Sequence, residues 1–185
     1  MAEMVEDSIF WAASPFVRKF AKQVIASSSG KPILDVACGS GRNALFLERM
    51  GGTVICIDRD LSSFNANLKR QFRFVRTLGM KLVPKKVDLV KDPWPFDPHS
   101  VGGIINVDFL MPTLFPLFAR SLVPGGCLLL ETVAGRGGNY LELPQEGELK
   151  AVLGFAFDLE FYEERLVGPS DCNAVVVKLL ARRKQ

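Results

Sequence analysis

The stretch Pro32-Ile33-Leu34-Asp35-Val36-Ala37 is an apolar run of strand length interrupted by one acid, and it leads directly into Cys38-Gly39-Ser40-Gly41. Beyond the glycines, Ala44, Leu45 and Leu47 recur at helical spacing. The segment therefore reads as strand, tight turn, helix. A strand that is apolar throughout is buried on both faces, which is the condition of a parallel sheet covered by helices. Gly39 and Gly41 let the chain turn sharply and bring its backbone close to a ligand with no Cβ in the way. In such sheets ligands bind beyond the carboxyl ends of the strands, where strand order reverses. Here that position falls at Ala37 through Asn43.

The rest of the chain repeats the unit. Gly51-Gly52 suits a helix C-cap, and Thr53-Val54-Ile55-Cys56-Ile57 is a second buried strand ending at Asp58. Leu61, Phe64, Leu68, Phe72 and Val75 mark a second helix, and residues 81–87 a third strand. Asp92-Pro93-Trp94-Pro95-Phe96-Asp97-Pro98 can continue neither a helix nor a central strand, so it is a connector. Residues 103–107 form the fourth strand, residues 112–122 a helix, and Cys127-Leu128-Leu129-Leu130 the fifth strand after a Pro124-Gly125-Gly126 turn. Residues 148–153 are expected to be helical, and residues 155–162 and 174–181 to be strands joined by Gly168-Pro169-Ser170-Asp171. Ahead of the core, Phe10, Phe16, Val17, Phe20, Val24 and Ile25 predict one or two helices capping the fold over residues 1–30. The expected fold class is α/β, a three-layer sheet of about seven strands, mostly parallel, with a C-terminal antiparallel hairpin. With 185 residues and 48% hydrophobic content the chain can bury one substantial core, so residues 1–185 are read as a single domain.

Several functional classes drop out. A net charge of +3 and a pI near 8.7 do not call for a nucleic-acid partner. The basic run Lys69, Arg70, Arg73 and Arg76 on the polar side of the Leu61 to Val75 helix, with Lys81, Lys85 and Lys86 beyond it, is the pattern of a solvated face. Cys38, Cys56, Cys127 and Cys172 include no C-x-x-C pair, and His99 is the single histidine, so no metal site is expected. Three of the cysteines sit in apolar runs, as free thiols do in a reducing compartment. Glu3, Glu6 and Asp7 stand where a secretory leader needs positive charge. The apolar residues 101–119 are broken by Asp108, Pro112 and Pro116, against a membrane span. The expectation is a cytoplasmic protein with no membrane partner, monomeric or homodimeric.

Gly39-Ser40-Gly41-Arg42-Asn43-Ala44 also satisfies the G-x-G-x-x-G/A dinucleotide pattern, with Asp58 closing the second strand. Asp35 discriminates: a carboxylate four residues before the first glycine repels a pyrophosphate and suits the ammonium of an amino acid. ILDVACGSGRNALFL, residues 33–47, resembles motif I of the class I S-adenosylmethionine-dependent methyltransferases, which are Rossmann-like. Val54-Ile55-Cys56-Ile57-Asp58, Val87-Asp88-Leu89 and Leu122-Val123-Pro124-Gly125-Gly126 resemble its later motifs. Within the family, CGSGRN, Trp94-Pro95, Glu131-Thr132 and Leu141-Glu142-Leu143 with Gly147-Glu148-Leu149 are most similar to the tellurite-resistance-type small-molecule enzymes. The Asn-Pro-Pro-Tyr motif of nucleic-acid amino-methylating enzymes is absent, Asn106-Val107-Asp108-Phe109 standing in its place.

The resemblance implies S-adenosylmethionine as cofactor and methyl transfer to a small-molecule acceptor. It implies that the loop from Ala37 to Asn43, with Asp35, Gly39 and Gly41, lines the methionine part. Asp58 would accept from the ribose hydroxyls, Arg59 would flank the adenine, and Asp88 and Leu89 would hold its rim. Asn106 and Asp108 would floor the space between cofactor and acceptor. Since a sulfonium leaves as a neutral thioether, catalysis needs positioning and exclusion of water, and no general base is assigned. The acceptor pocket is expected among the N-terminal helices, Phe109-Leu110-Met111-Pro112 and residues 133–140, with Gly135-Arg136-Gly137-Gly138 as a lid. The competing classes are a nicotinamide-dependent oxidoreductase, a catalytically silent cofactor-binding module, and an RNA or protein methyltransferase.

Overall fold

The computed structural model describes residues 13–71, 81–132, 143–168 and 173–185. In chain order the elements are α1 (Pro15–Ser27), β1 (Ile33–Val36), α2 (Arg42–Arg49), β2 (Val54–Asp58), α3 (Ser62–Gln71) and β3 (Leu82–Lys86). They continue with β4 (Val101–Val107), a 3-10 turn (Pro112–Leu114) entering α4 (Phe115–Ser121), β5 (Leu122–Glu131), α5 (Glu148–Leu153), β6 (Phe157–Leu166) and β7 (Val175–Arg183). The seven strands form one sheet in the order β3-β2-β1-β4-β5-β7-β6. The first five pair in parallel, while β7 runs antiparallel to both β5 and β6. This is the expected mostly parallel α/β sheet closed by an antiparallel hairpin.

Each face of the sheet carries its own core. On one, Leu34, Val36, Ile104, Leu128 and Leu130 pack against Phe115 and Phe118 of α4 and Leu149 and Leu153 of α5. On the other, Ile33, Cys56, Ile105 and Leu129 pack against Phe16, Val17 and Val24 of α1 and Ala44, Phe46 and Leu47 of α2. The side chains alternate faces along each strand, as the two-residue period requires. Burial of both faces explains why β1 and β4 read as apolar runs with a single polar residue each, Asp35 and Asn106.

Three local differences from the sequence reading have physical reasons. Pro124-Gly125-Gly126 falls within β5 rather than before it: Val101 pairs with Leu122 and Gly103 with Cys127, so residues 123–126 lie opposite Gly102 alone. Gly125 absorbs that excursion at φ +77. β3 carries Pro84 and is largely exposed, which an edge strand tolerates because its outer side has no ladder to lose. The expected helix over residues 112–122 begins as a 3-10 turn. Phe72, Val75, Phe10 and the turn residues Pro169, Ser170 and Asp171 lie outside the described residues. No helix among the described residues is long and apolar enough to cross a membrane.

The connector between β3 and β4 holds no helix. Trp94 covers that part of the sheet instead, its ring 5.2 Å from Phe96 and 5.4 Å from Phe118. Its Nε1–H donates to the Ser121 hydroxyl at 2.8 Å, and Ser121 is fully buried. Trp94→Phe keeps an aromatic ring but leaves that hydroxyl without its donor, so the variant should lose about 1–3 kcal/mol of stability in urea unfolding followed by circular dichroism.

Candidate functional site

The chain leaves β1 through a left-handed residue, Ala37 at φ 53, and turns through Gly39 at φ 54 and Gly41 at φ 70. The loop is held by hydrogen bonds from several elements. Gly41 N–H donates to Cys38 O at 2.8 Å, and Cys38 N–H to Ile57 O of β2 at 3.0 Å. Gly39 N–H donates to Asp58 Oδ2 at 2.8 Å, and Asn67 Nδ2 of α3 donates to Ser40 O at 2.8 Å. The two glycines differ in what they permit. A Cβ on Gly41 would stand 2.5 Å from the Phe64 ring, so that position is closed by packing. A Cβ on Gly39 would meet nothing within 4 Å, so the loop there faces open space.

Asp35 lies beneath this turn at 2% exposure, beside Cys56 and Ile105 on the α1 and α2 side of the sheet. Its carboxylate accepts the Ala44 N–H in the first turn of α2. Oδ2 has no hydrogen-bond partner. Burial pushes its pKa up to about 7, and the nearby Asp58 charge adds to the rise, against the Ala44 N–H and Arg42.

Beyond the ends of β1, β2, β3 and β4 lies a cavity of about 320 Å³ lined by Ala37, Asp58, Arg59, Asp88, Leu89 and Phe109, with Val87 and Val90 completing its wall. Asp58 Oδ2 takes the Gly39 N–H, and Oδ1 takes the Asp60 N–H at 3.0 Å. Asp88 Oδ1 accepts the Val90 N–H at 3.1 Å, and its Oδ2 lies 3.8 Å from Lys91 Nζ. β4 also exits through a left-handed residue, Asp108 at φ 63, whose N–H donates to Glu131 O at 2.8 Å. Non-glycine residues in that conformation cost about 1 kcal/mol or more and cluster at binding sites.

Of the residues singled out from the sequence, Ala37, Asp58, Arg59, Asp88 and Leu89 meet around this one cavity. Asp35 sits beneath the adjoining loop and does not line it. Asn43 is buried in α2, its Oδ1 accepting the Ser14 N–H at 2.9 Å. Asn106 is 2% exposed on the sheet face opposite Asp35, with its Nδ2 unpartnered. Asp108 is exposed at the end of β4. Phe109, Leu110 and Met111 pack half-buried against the α4 side of the core. Residues 133–140, expected to bear the lid, lie outside the described residues. Val87, Val90, Phe64 and Asn67 were not assigned to the site from sequence. Only Asn67 carried a signal, an amide one turn after an apolar helix position, and its 7% exposure shows why it is there.

The buried acid makes a stability prediction. A carboxyl whose folded pKa is raised contributes stability below its unfolded pKa and loses it as pH rises through the folded value. Here the window runs from the ordinary 3.8 to about 7. Asp35→Asn should therefore gain on the parent between pH 4 and pH 8, by at most about 4 kcal/mol, in urea unfolding at the two pH values.

No protein-family model matches the chain. It is 31% identical over 134 residues to the ribosomal protein L11 methyltransferase of Thermus thermophilus, a match that takes in 64% of this chain and 50% of that protein. The chain thus spans about half the length of the curated relative it matches. Among solved structures it is similar to the geranyl diphosphate C-methyltransferase of Streptomyces coelicolor A3(2), solved with S-adenosyl-L-homocysteine. That match has a TM-score of 0.67 and 15% identity, covering 89% of this chain and 78% of that one. The TehB structure from Haemophilus influenzae matches with a TM-score of 0.64 and 20% identity, over 90% of this chain and 62% of that one. The [4+2]-cyclase SpnF matches with a TM-score of 0.64 and 17% identity, over 90% of this chain and 80% of that one. With its strand order, its glycine turn after β1 and these likenesses, the chain has the fold of the class I S-adenosylmethionine-dependent methyltransferases.

Proposed function

We propose that the chain binds S-adenosylmethionine across the ends of β1, β2 and β4 and transfers its methyl group to a small-molecule acceptor. The observation that carries this reading is the pair of acids around the glycine turn, Asp35 beneath it with Oδ2 unpartnered and Asp58 at its edge. Two carboxylates there oppose a pyrophosphate and favour a ligand with positive charge, against the nicotinamide alternative. The open space above Gly39 fits the amino-acid end of this cofactor, with the buried Asp35 acting on its ammonium from beneath the loop. When bound, it supplies a methyl group whose leaving thioether is neutral and needs no protonation.

The chain's own residues then bind and align. Asp58 spends one acceptor site of each oxygen on Gly39 and Asp60, which leaves lone pairs for the two ribose hydroxyls. Asp88 and Leu89 offer an acceptor and an apolar wall to the adenine, with Arg59 at its flank. Asn106 and Asp108 stand at the end of β4 on the acceptor side, where Phe109, Leu110 and Met111 provide an apolar surface for a small or partly hydrophobic acceptor. Acceleration comes from holding donor and acceptor in line and excluding water. A protein acceptor is the second reading, favoured by the 31% identity to an enzyme named for a ribosomal protein.

Transfer of label from methyl-labelled S-adenosylmethionine to pooled small thiols, amines and hydroxy acids, set against a ribosomal protein extract, separates the two. Label in the small-molecule pool supports the proposal, label in protein supports the second reading, and binding without transfer to either supports a silent module. Calorimetric titration with S-adenosylhomocysteine tests the site: Asp58→Ala should weaken binding by about 10- to 100-fold, since it removes hydrogen bonds to a charged group. A cofactor ammonium near Asp35 also favours its ionised form. Binding at pH 6 should therefore release close to one proton, and the release should vanish in Asp35→Asn. Unchanged affinity in Asp58→Ala, or no proton release at pH 6, would contradict these roles.

A further inference from the structure

Ser14, just ahead of α1, has every polar atom committed. Its N–H donates to Asn43 Oδ1 at 2.9 Å, and its carbonyl accepts the Arg18 N–H at 2.9 Å. Its hydroxyl accepts the N–H groups of Phe16 at 3.1 Å and Val17 at 3.5 Å, and donates to Glu131 Oε2. Ser14, Asn43 and Glu131 are all buried, at 4%, 6% and 7% exposure. Glu131 Oε1 lies 3.5 Å from Lys178 Nζ of β7, and the Glu131 carbonyl accepts the Asp108 N–H. A continuous polar connection therefore runs from the ends of β4 and β5, through Ser14, to the first turn of α2 that follows the glycine loop.

Docking α1 does not require this connection, because Phe16, Val17, Ala21 and Val24 already bury the helix against the sheet. A capping serine needs only to accept from the helix N–H groups. Burying a carboxylate to accept the Ser14 O–H is costly, and an apolar contact would hold the helix with less desolvation. What hydrogen bonds add is direction: those of the hydroxyl seat the Ser14 main chain, whose N–H in turn holds the Asn43 side chain and with it the orientation of the first turn of α2.

We infer that Ser14 and Glu131 are positioning residues that hold the first turn of α2, and with it the Gly39 to Gly41 loop, in the geometry that binds cofactor. The inference rests on the cofactor reading above and adds two residues outside the cavity lining. It is tested by S-adenosylhomocysteine affinity in Ser14→Ala, Glu131→Leu and Glu131→Gln. Leu153→Ala, in the core on the opposite face, serves as a control for loss of stability alone. Ser14→Ala and Glu131→Leu should each bind about fivefold or more weakly, and Glu131→Gln, which still offers an oxygen to the Ser14 hydroxyl, within about twofold of the parent. Leu153→Ala should lower the melting temperature and leave affinity unchanged.

Amide exchange in the free protein gives a second readout, independent of any ligand. The Ala44 and Leu45 amides should exchange about tenfold faster in Ser14→Ala than in Leu153→Ala. If Glu131→Leu does not fold, Ser14→Ala decides alone. Binding within twofold of the parent in Ser14→Ala, or equal weakening in Leu153→Ala, would overturn the inference. A parent that binds no S-adenosylhomocysteine would sink the cofactor reading instead. In that case, unchanged exchange at Ala44 and Leu45 would still overturn the positioning role.

Discussion

Burying the Asp35 carboxylate between β1 and the first turn of α2 creates an electrostatic demand that shapes everything around it. One oxygen is satisfied by the Ala44 N–H, at the end of the helix where donors are free and the helix dipole favours negative charge. The other has no partner in the protein. A second acid, Asp58, lies close enough to raise the pKa of Asp35 further, and it is held in place by two backbone N–H groups of its own. The two acids thus divide the donors of the turn between them and leave a negative field at its mouth, one that a cation strengthens by ionising Asp35, which is only part-ionised near pH 7 on its own. That field opposes phosphate and attracts a cation, and this is why the same glycine spacing that serves dinucleotides in other sheets points elsewhere in this chain.

The fold supplies the opening in which that field acts. β1 and β4 are neighbours, yet the helices that follow them pack on opposite faces of the sheet, α2 on one and α4 on the other. A crevice between the two strand ends is the geometric result. Both strands depart from it through left-handed, non-glycine residues, Ala37 and Asp108. The rigid sheet holds these strained exits in place. Asp58 and Asp88 then approach from the ends of β2 and β3, so a cavity forms from residues scattered over more than 50 positions of sequence.

The alternation of buried strands and helices was legible because full burial of β1 and β4 leaves apolar runs, broken only by Asp35 and Asn106, that turn chemistry punctuates. The positions of Asp58 and Asp88 followed from where those runs end. Orientation was the harder property. Asn43 and Asn106 stand beside the glycine turn and the β4 end in sequence, but the structure directs Asn43 to Ser14 and Asn106 to the far face of the sheet. Sequence adjacency to a loop does not say which way a side chain leaves it. Support from distant elements was equally hidden: Asn67 and Phe64 brace the turn from α3, and Ser14 meets Glu131 across 117 positions. The excursion at Pro124-Gly125-Gly126 looked like a turn before β5 because its residues demand one, and only pairing with β4 on both sides places it inside the strand.

The central claim is that a prefabricated turn between Asp35 and Asp58 receives the cofactor without rearranging. A crystal structure of the chain with S-adenosylhomocysteine tests it directly. In that complex the ribose hydroxyls should lie on Asp58, the adenine between Arg59 and Leu89 beside Asp88, and the amino-acid end over Gly39. The backbone of residues 37–44 should keep its present course within about 1 Å when the ligand binds. A ligand elsewhere on the molecule, or a turn that breaks the Gly39 to Asp58 hydrogen bond to admit it, would contradict the account.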